Sequence, residues 1–138
     1  MISDEFDIER VTAYWLVEAE EALRVADHLV EKADFSYALF FGHLAIEKAL
    51  KAVYAARLHD NASPIHNLLR LARSAGLELG EARTEALVTM TAFNIEARYP
   101  DMKRAFRQTC TPEFTGRQMA TVKELFEWLR SQIPSLKA

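Results

Sequence analysis

The chain has 138 residues, of which 50% are hydrophobic and 27% charged, the size and composition of one domain with its own core. Its net charge of −3 excludes broad, non-specific nucleic-acid binding, which needs a basic surface, but leaves room for a local basic pocket. A single cysteine, Cys110, excludes an intramolecular disulfide and suits a reducing compartment. The acidic opening Met1 to Arg10 lacks a basic region followed by an apolar run, and no stretch approaches the roughly 18 apolar residues of a membrane span. The expectation is a cytoplasmic protein with no signal peptide and no membrane contact.

Only four Gly and four Pro interrupt the chain, so long helices are expected. The first runs from about Ile8 to Lys32, with Asp7 as N-cap and Val11, Tyr14, Trp15, Ala19, Ala22, Leu23, Ala26, Leu29 and Val30 at helical spacing. The second runs from about Phe35 to Leu58. One face carries Leu39, Gly42, Ala45, Ile46, Ala49, Leu50 and Val53, while Phe40, Phe41 and Leu44 make the other side of its first half apolar too. A helix apolar all round is buried all round. In so small a bundle a second subunit is the simplest cover, which predicts a homodimer through Phe40, Phe41 and Leu44.

Asn61, Ser63 and Pro64 break the chain, and a short third helix fits His66 to Ala75, with Gly76 as its stop. The fourth fits Glu81 to Arg98, with Ala86, Leu87, Met90 and Phe93 inward and Pro100 ending it. Tyr99 to Phe114 reads as a long connection with a basic excess from Lys103, Arg104 and Arg107, either a phosphate-facing lip or a solvated loop. Thr115 caps a fifth helix to about Ile133. The expected fold is all-α: a single-domain, up-and-down four-helix bundle with a short additional helix, five helices in total.

Most catalytic templates are absent. There is no glycine-rich phosphate loop, and four histidines and one cysteine form no zinc-ligand spacing, so neither metal nor cofactor is expected. Cys110 sits beside basic residues but reads as a passive thiol. What remains is polar groups against apolar faces. His43, Glu47 and Lys51 are spaced by four and form one stripe on the second helix, with Lys48 one step round. That stripe is either an ordinary ion pair at the surface or the polar wall of a pocket. Asn94 falls inside an apolar arc and must find partners. Arg98 either caps carbonyls at a helix end or recognises an anion with its planar fork of donors, and His66 is either a capping residue or a pocket donor.

These residues also carry a resemblance. Gly42-His43-Leu44-Ala45-Ile46-Glu47-Lys48-Ala49-Leu50-Lys51-Ala52 resembles the second-helix signature of HEPN domains (higher eukaryotes and prokaryotes nucleotide-binding), centred on Ala-x-Glu-Lys-x-Leu-Lys-Ala. His66-Asn67-Leu68 is similar to the His-(Asn/Asp)-Leu that opens their third helix, and Arg98-Tyr99-Pro100 to their Arg-Tyr-Pro segment. Leu125-Phe126-Glu127-Trp128-Leu129 resembles the end of their last helix. The resemblance implies a helical bundle, usually dimeric, commonly encoded beside a minimal nucleotidyltransferase, which is the expected partner, in some cases as a toxin–antitoxin pair. It makes His43, Glu47, Lys48, Lys51, His66, Arg98 and Tyr99 the candidate residues for binding a nucleotide or anion.

Ribonucleases of this family carry an Arg, four to six residues, then a His. Here the corresponding positions after Arg98 are Lys103, Arg104 and Ala105, and no histidine follows His66. The resemblance therefore points to a non-catalytic subunit that binds a nucleotide, a substrate or a nucleotidyltransferase partner. A ribonuclease toxin with an atypical site built from Arg98, His66 and Tyr99 is the alternative, and a purely structural dimeric bundle is the third reading.

Overall fold

Asp7 opens the first helix as its spacing predicts. The computed structural model describes residues 7–62 and 64–134, and the acidic start of the chain before Asp7 lies outside them. The Asp7 carboxylate accepts a hydrogen bond from the Arg10 backbone N–H at 3.1 Å, so α1 (Ile8–Glu31) starts with one of its orphan donors satisfied. It ends in a Schellman turn. The Ala33 N–H reaches the Val30 carbonyl at 3.0 Å and the Asp34 N–H reaches that of Leu29 at 2.9 Å. Ala33 takes the left-handed conformation there (φ 61°), and the chain returns at once as α2 (Phe35–Leu58).

The second helix is the hub. It packs most extensively on α1, then on α6 (Pro112–Ser131), and along shorter edges on α3 (Leu68–Ser74), α4 (Gly80–Thr91) and α5 (Pro100–Thr109). Leu39, Ile46, Leu50 and Val53 on α2 are fully buried and meet Val122, Phe126 and Leu129 of α6 in one continuous core. Each such side chain contributes about 1.5–3 kcal/mol when withdrawn from water. Gly42 lets α2 and α6 come together: a Cβ there would stand 3.4 Å from Met119 Sδ and from Val122. The all-round apolar sequence of α2 is thus covered mainly within the chain.

All described elements are helical, and no helix among them is long and apolar enough to cross a membrane. They comprise six α-helices and a 3-10 turn rather than five helices. The third helix begins at Leu68, not His66, because Asn67 is the cap and accepts from the Arg70 N–H at 2.9 Å. Gly76 stops it as expected, at φ +80°. The fourth helix stops at Thr91 instead of Arg98. Its last bonds tighten to the shorter i to i+3 pattern, Asn94 turns away at ψ 78°, and Ile95–Ala97 forms the 3-10 turn.

Pro100 starts a helix instead of ending one. It is the first residue of α5, where its missing N–H costs nothing and its fixed φ suits the helix. Most of the supposed long connection is therefore α5. Thr111, not Thr115, caps α6, accepting from the Phe114 N–H at 3.1 Å, and Thr115 is buried one turn inside.

Candidate functional site

Glu47 lies on the hub helix and is only 4% exposed, so its carboxylate needs partners. Lys51, one turn on, reaches Glu47 Oε2 at 3.1 Å. His66, from the segment before α3, donates its Nδ1 proton to the two carboxylate oxygens at 3.2 and 3.3 Å. His43, one turn back, holds Nε2 3.8 Å from Oε1. One buried anion thus gathers three basic side chains. The ammonium of Lys51 also lies 4.9 Å from the centre of the Trp15 ring on α1, a cation–π contact that the periodicity of α1 does not reveal.

His66 is brought there by backbone geometry. The Thr91 hydroxyl, at the end of α4, accepts from the Leu68 N–H at 3.2 Å and donates to the Leu87 carbonyl at 2.9 Å. This ties the first turn of α3 to the last turn of α4. The same knot delivers the residues after α4 to the same face. Phe40, His43, Leu44, Glu47, His66, Asn94 and Glu96 line an open cleft of about 290 Å³. Phe40 and Leu44 form its apolar wall. The Phe40 ring lies nearly parallel to the His43 imidazole, at 15° and 6.3 Å between centres.

The two histidines of the cluster sit in different settings. His43 is fully buried. Burial lowers its pKa, opposed by the charge of Glu47 and by the bond to the His66 carbonyl, and reinforced by the charge of His66. That carbonyl, 3.4 Å from Nε2, can only accept, so Nε2 carries the proton of neutral His43. Nδ1 is then a bare acceptor, buried without a partner among the described residues. The His66 side chain is 66% exposed. With Nδ1 held by Glu47, its other ring nitrogen is the accessible one.

Of the candidate residues, His43, Glu47, Lys51 and His66 converge. Lys48 does not: it turns to α1 and pairs with Glu18 at 3.7 Å. Arg98 is half-buried at the exit of the 3-10 turn and does not line the cleft, and Tyr99 beyond it is 77% exposed. Phe40 and Leu44 face the cleft, whereas Phe41 packs on the core. Asn94, noted in sequence as an inward amide, and Glu96, which no pattern singles out, complete the lining. The turn that ends α4 early puts them there. The sequence suggests a continued helix because Phe93 keeps the apolar period of Met90.

Two further hollows gather none of this cluster. One of about 500 Å³ lies among Arg57, Gly76, Glu78, Arg83, Trp128 and Gln132. A smaller one, of about 150 Å³, includes Arg107 and Cys110. The Cys110 thiol is buried there and its pKa is pushed up to about 11, which suits the passive reading. No group of three or more His, Cys, Asp and Glu side chains poised to hold a metal ion occurs among the described residues.

A small all-helical domain with a cleft of mixed polar and apolar lining against its central helix is the class that fold and site define. The HEPN domain model matches residues 12–132, and the chain belongs to the HEPN domain family. The fold is also similar to that of a solved structure, the crystal structure of TT1696 from Thermus thermophilus. The TM-score is 0.73 over 88% of this chain and 97% of that one, at 21% identity. No curated relative matches the sequence.

Proposed function

We propose that the chain is a non-catalytic HEPN subunit whose cleft holds the base of a nucleotide. The observation that carries this reading is the commitment of Lys51 and His66 to Glu47 at the wall of the cleft. With Lys51 paired to Glu47, with His66 bonded to the same carboxylate, and with Glu96 as a further carboxylate in the lining, the cleft is poorly suited to a bare phosphate. Phe40 and Leu44 offer an apolar wall, and Asn94 and Glu96 offer hydrogen bonds, the combination that grips an unstacked base. The family supports nucleotides as the ligand class. Titration calorimetry with nucleoside monophosphates tests the reading. Saturable binding is expected, lost in Leu44→Arg and kept in Arg70→Ala, which lies on α3 away from the cleft. Binding indifferent to Leu44→Arg removes the assignment.

The proposal includes the assembly. The subunit dimerises through the Phe40, Phe41 and Leu44 side of α2 and works with a minimal nucleotidyltransferase, as in toxin–antitoxin-like pairs. Phe40, Phe41 and Leu44 are only half-buried in the single chain, which leaves room for a partner subunit at the rim of the cleft beside the base. Sedimentation showing only monomer at micromolar concentration would remove the dimer.

A ribonuclease is the second reading, and one observation favours it. Glu47 orients His66 through Nδ1 and leaves the outer nitrogen accessible, as a general acid or base requires. Cleavage of RNA that survives repurification and disappears in His66→Ala would establish it.

A further inference from the structure

We infer that the base held in the cleft is guanine. This rests on the nucleotide-binding reading above and adds the identity of the base. Once Lys51 and His66 have taken Glu47, and with the unpartnered His43 Nδ1 buried, the accessible lining side chains with hydrogen-bonding capacity left are the Glu96 carboxylate, the Asn94 amide and the outer nitrogen of His66. Glu96 is exposed and enters no ion pair or side-chain hydrogen bond among the described residues.

An ionised carboxylate only accepts, through two oxygens side by side. It is best met by an edge that presents two neighbouring donors. Guanine alone among the four common RNA bases has that edge, N1–H beside the N2 amino group. Adenine, cytosine and uracil each set an acceptor next to their donor, and that acceptor would face the lone pairs of the carboxylate. The third group on the guanine edge, O6, accepts. The Asn94 side-chain amide supplies donors for it.

The spacing is fixed by backbone. Asn94 and Glu96 stand two residues apart at the entry to the 3-10 turn. The Ile95 N–H is bonded to the Phe93 carbonyl at 2.8 Å, and the Arg98 N–H to that of Ile95 at 3.2 Å. Phe93 beneath them is buried and anchors the turn in the core. Phe40 and Leu44 give the face of the ring an apolar surface. A cleft of about 290 Å³ sits at the small end of ligand sites, a better fit for one base than for an extended ligand.

The test is calorimetric titration of the full chain with the 5′-monophosphates of guanosine, inosine, adenosine, cytidine and uridine. The guanosine nucleotide should bind most tightly. The inosine nucleotide, which lacks only the N2 amino group, should be weaker by roughly tenfold, the worth of one charge-assisted hydrogen bond. Glu96→Gln replaces one accepting oxygen by a donor and should bring guanosine monophosphate down to the inosine level without weakening the other three. Circular dichroism checks that this exposed substitution leaves the fold intact. Binding of all five with equal affinity, preference for another base, or a Glu96→Gln variant that keeps the guanine preference overturns the guanine assignment and leaves nucleotide binding standing. Absence of saturable binding for all five overturns both.

Discussion

Lys51 on α2 and Arg104 on α5 are both long cationic side chains on short-spaced polar stripes, yet they live in opposite settings. The Lys51 side chain is 12% exposed, ion-paired to Glu47 and laid over Trp15. Arg104 is exposed, and no ion pair holds it or its neighbours Lys103 and Arg107 among the described residues. The difference comes from the helices. The middle of α2, where Glu47 and Lys51 sit, is covered by neighbours, so a charge there must be matched or neutralised. α5 has no buried residue and touches little besides α2, so its charges are solvated and free to meet something else. The charge pattern in sequence looks alike in both; what separates them is how much protein surrounds each helix.

Breaking the matched side should have the largest effect. Glu47→Ala strips the counter-charge from a nearly buried lysine and releases His66, and urea unfolding should show a loss of about 3 kcal/mol. Glu47→Gln keeps the shape and removes the charge, and its smaller loss would measure the electrostatic share. A Glu47→Ala variant as stable as the parent would mean that Lys51 swings out to water unaided, and the contrast with α5 would collapse.

The second test uses pH. Burial holds the pKa of His43 below its ordinary 6.5, so the folded chain keeps this imidazole neutral where the unfolded chain protonates it. The unfolded state then binds more protons in the interval below 6.5. The His43 contribution to stability is complete above 6.5 and is lost as pH falls from there toward the depressed folded value. The slope of stability against pH should exceed that of His43→Gln in this interval, by at most about 1.4 kcal/mol per pH unit. Parallel slopes for the two proteins would show that His43 titrates as it does in water.

The same contrast explains what is legible in the sequence. α1 and α2 can be read nearly to the residue because Asp7 caps one, whose apolar residues keep a clean helical period, and the other is a long apolar run without Gly or Pro at its ends. The stripe His43, Glu47, Lys51 needs only spacing by four. His66 joins it through the Thr91 knot, a tertiary contact between helix ends that no local pattern encodes. The second half of the chain misleads where proline reads as a stop. Tyr99-Pro100-Asp101 and Thr111-Pro112-Glu113 both place proline at the first helical position with an acid after it, favourable to the helix dipole. That repeated signal marks the starts of α5 and α6, and it divides the supposed long connection correctly. Glu96 has no signal at all, since its place in the cleft depends on where α4 stops.

The smallest effect belongs to α5. Arg104→Ala removes a solvated charge with no partner to abandon, and its unfolding free energy should match the parent within about 0.5 kcal/mol. That near-silence is informative because Lys51→Ala, also the loss of one cation, leaves Glu47 with His66 alone as its close partner and should not be silent. A cation with no role in folding is free to bind. If Arg104→Ala, silent in unfolding, weakens a nucleotide but not the matching nucleoside, the phosphate reaches toward α5 while the base stays in the cleft. The matched charges of α2 and the unmatched ones of α5 would then serve the two ends of one ligand.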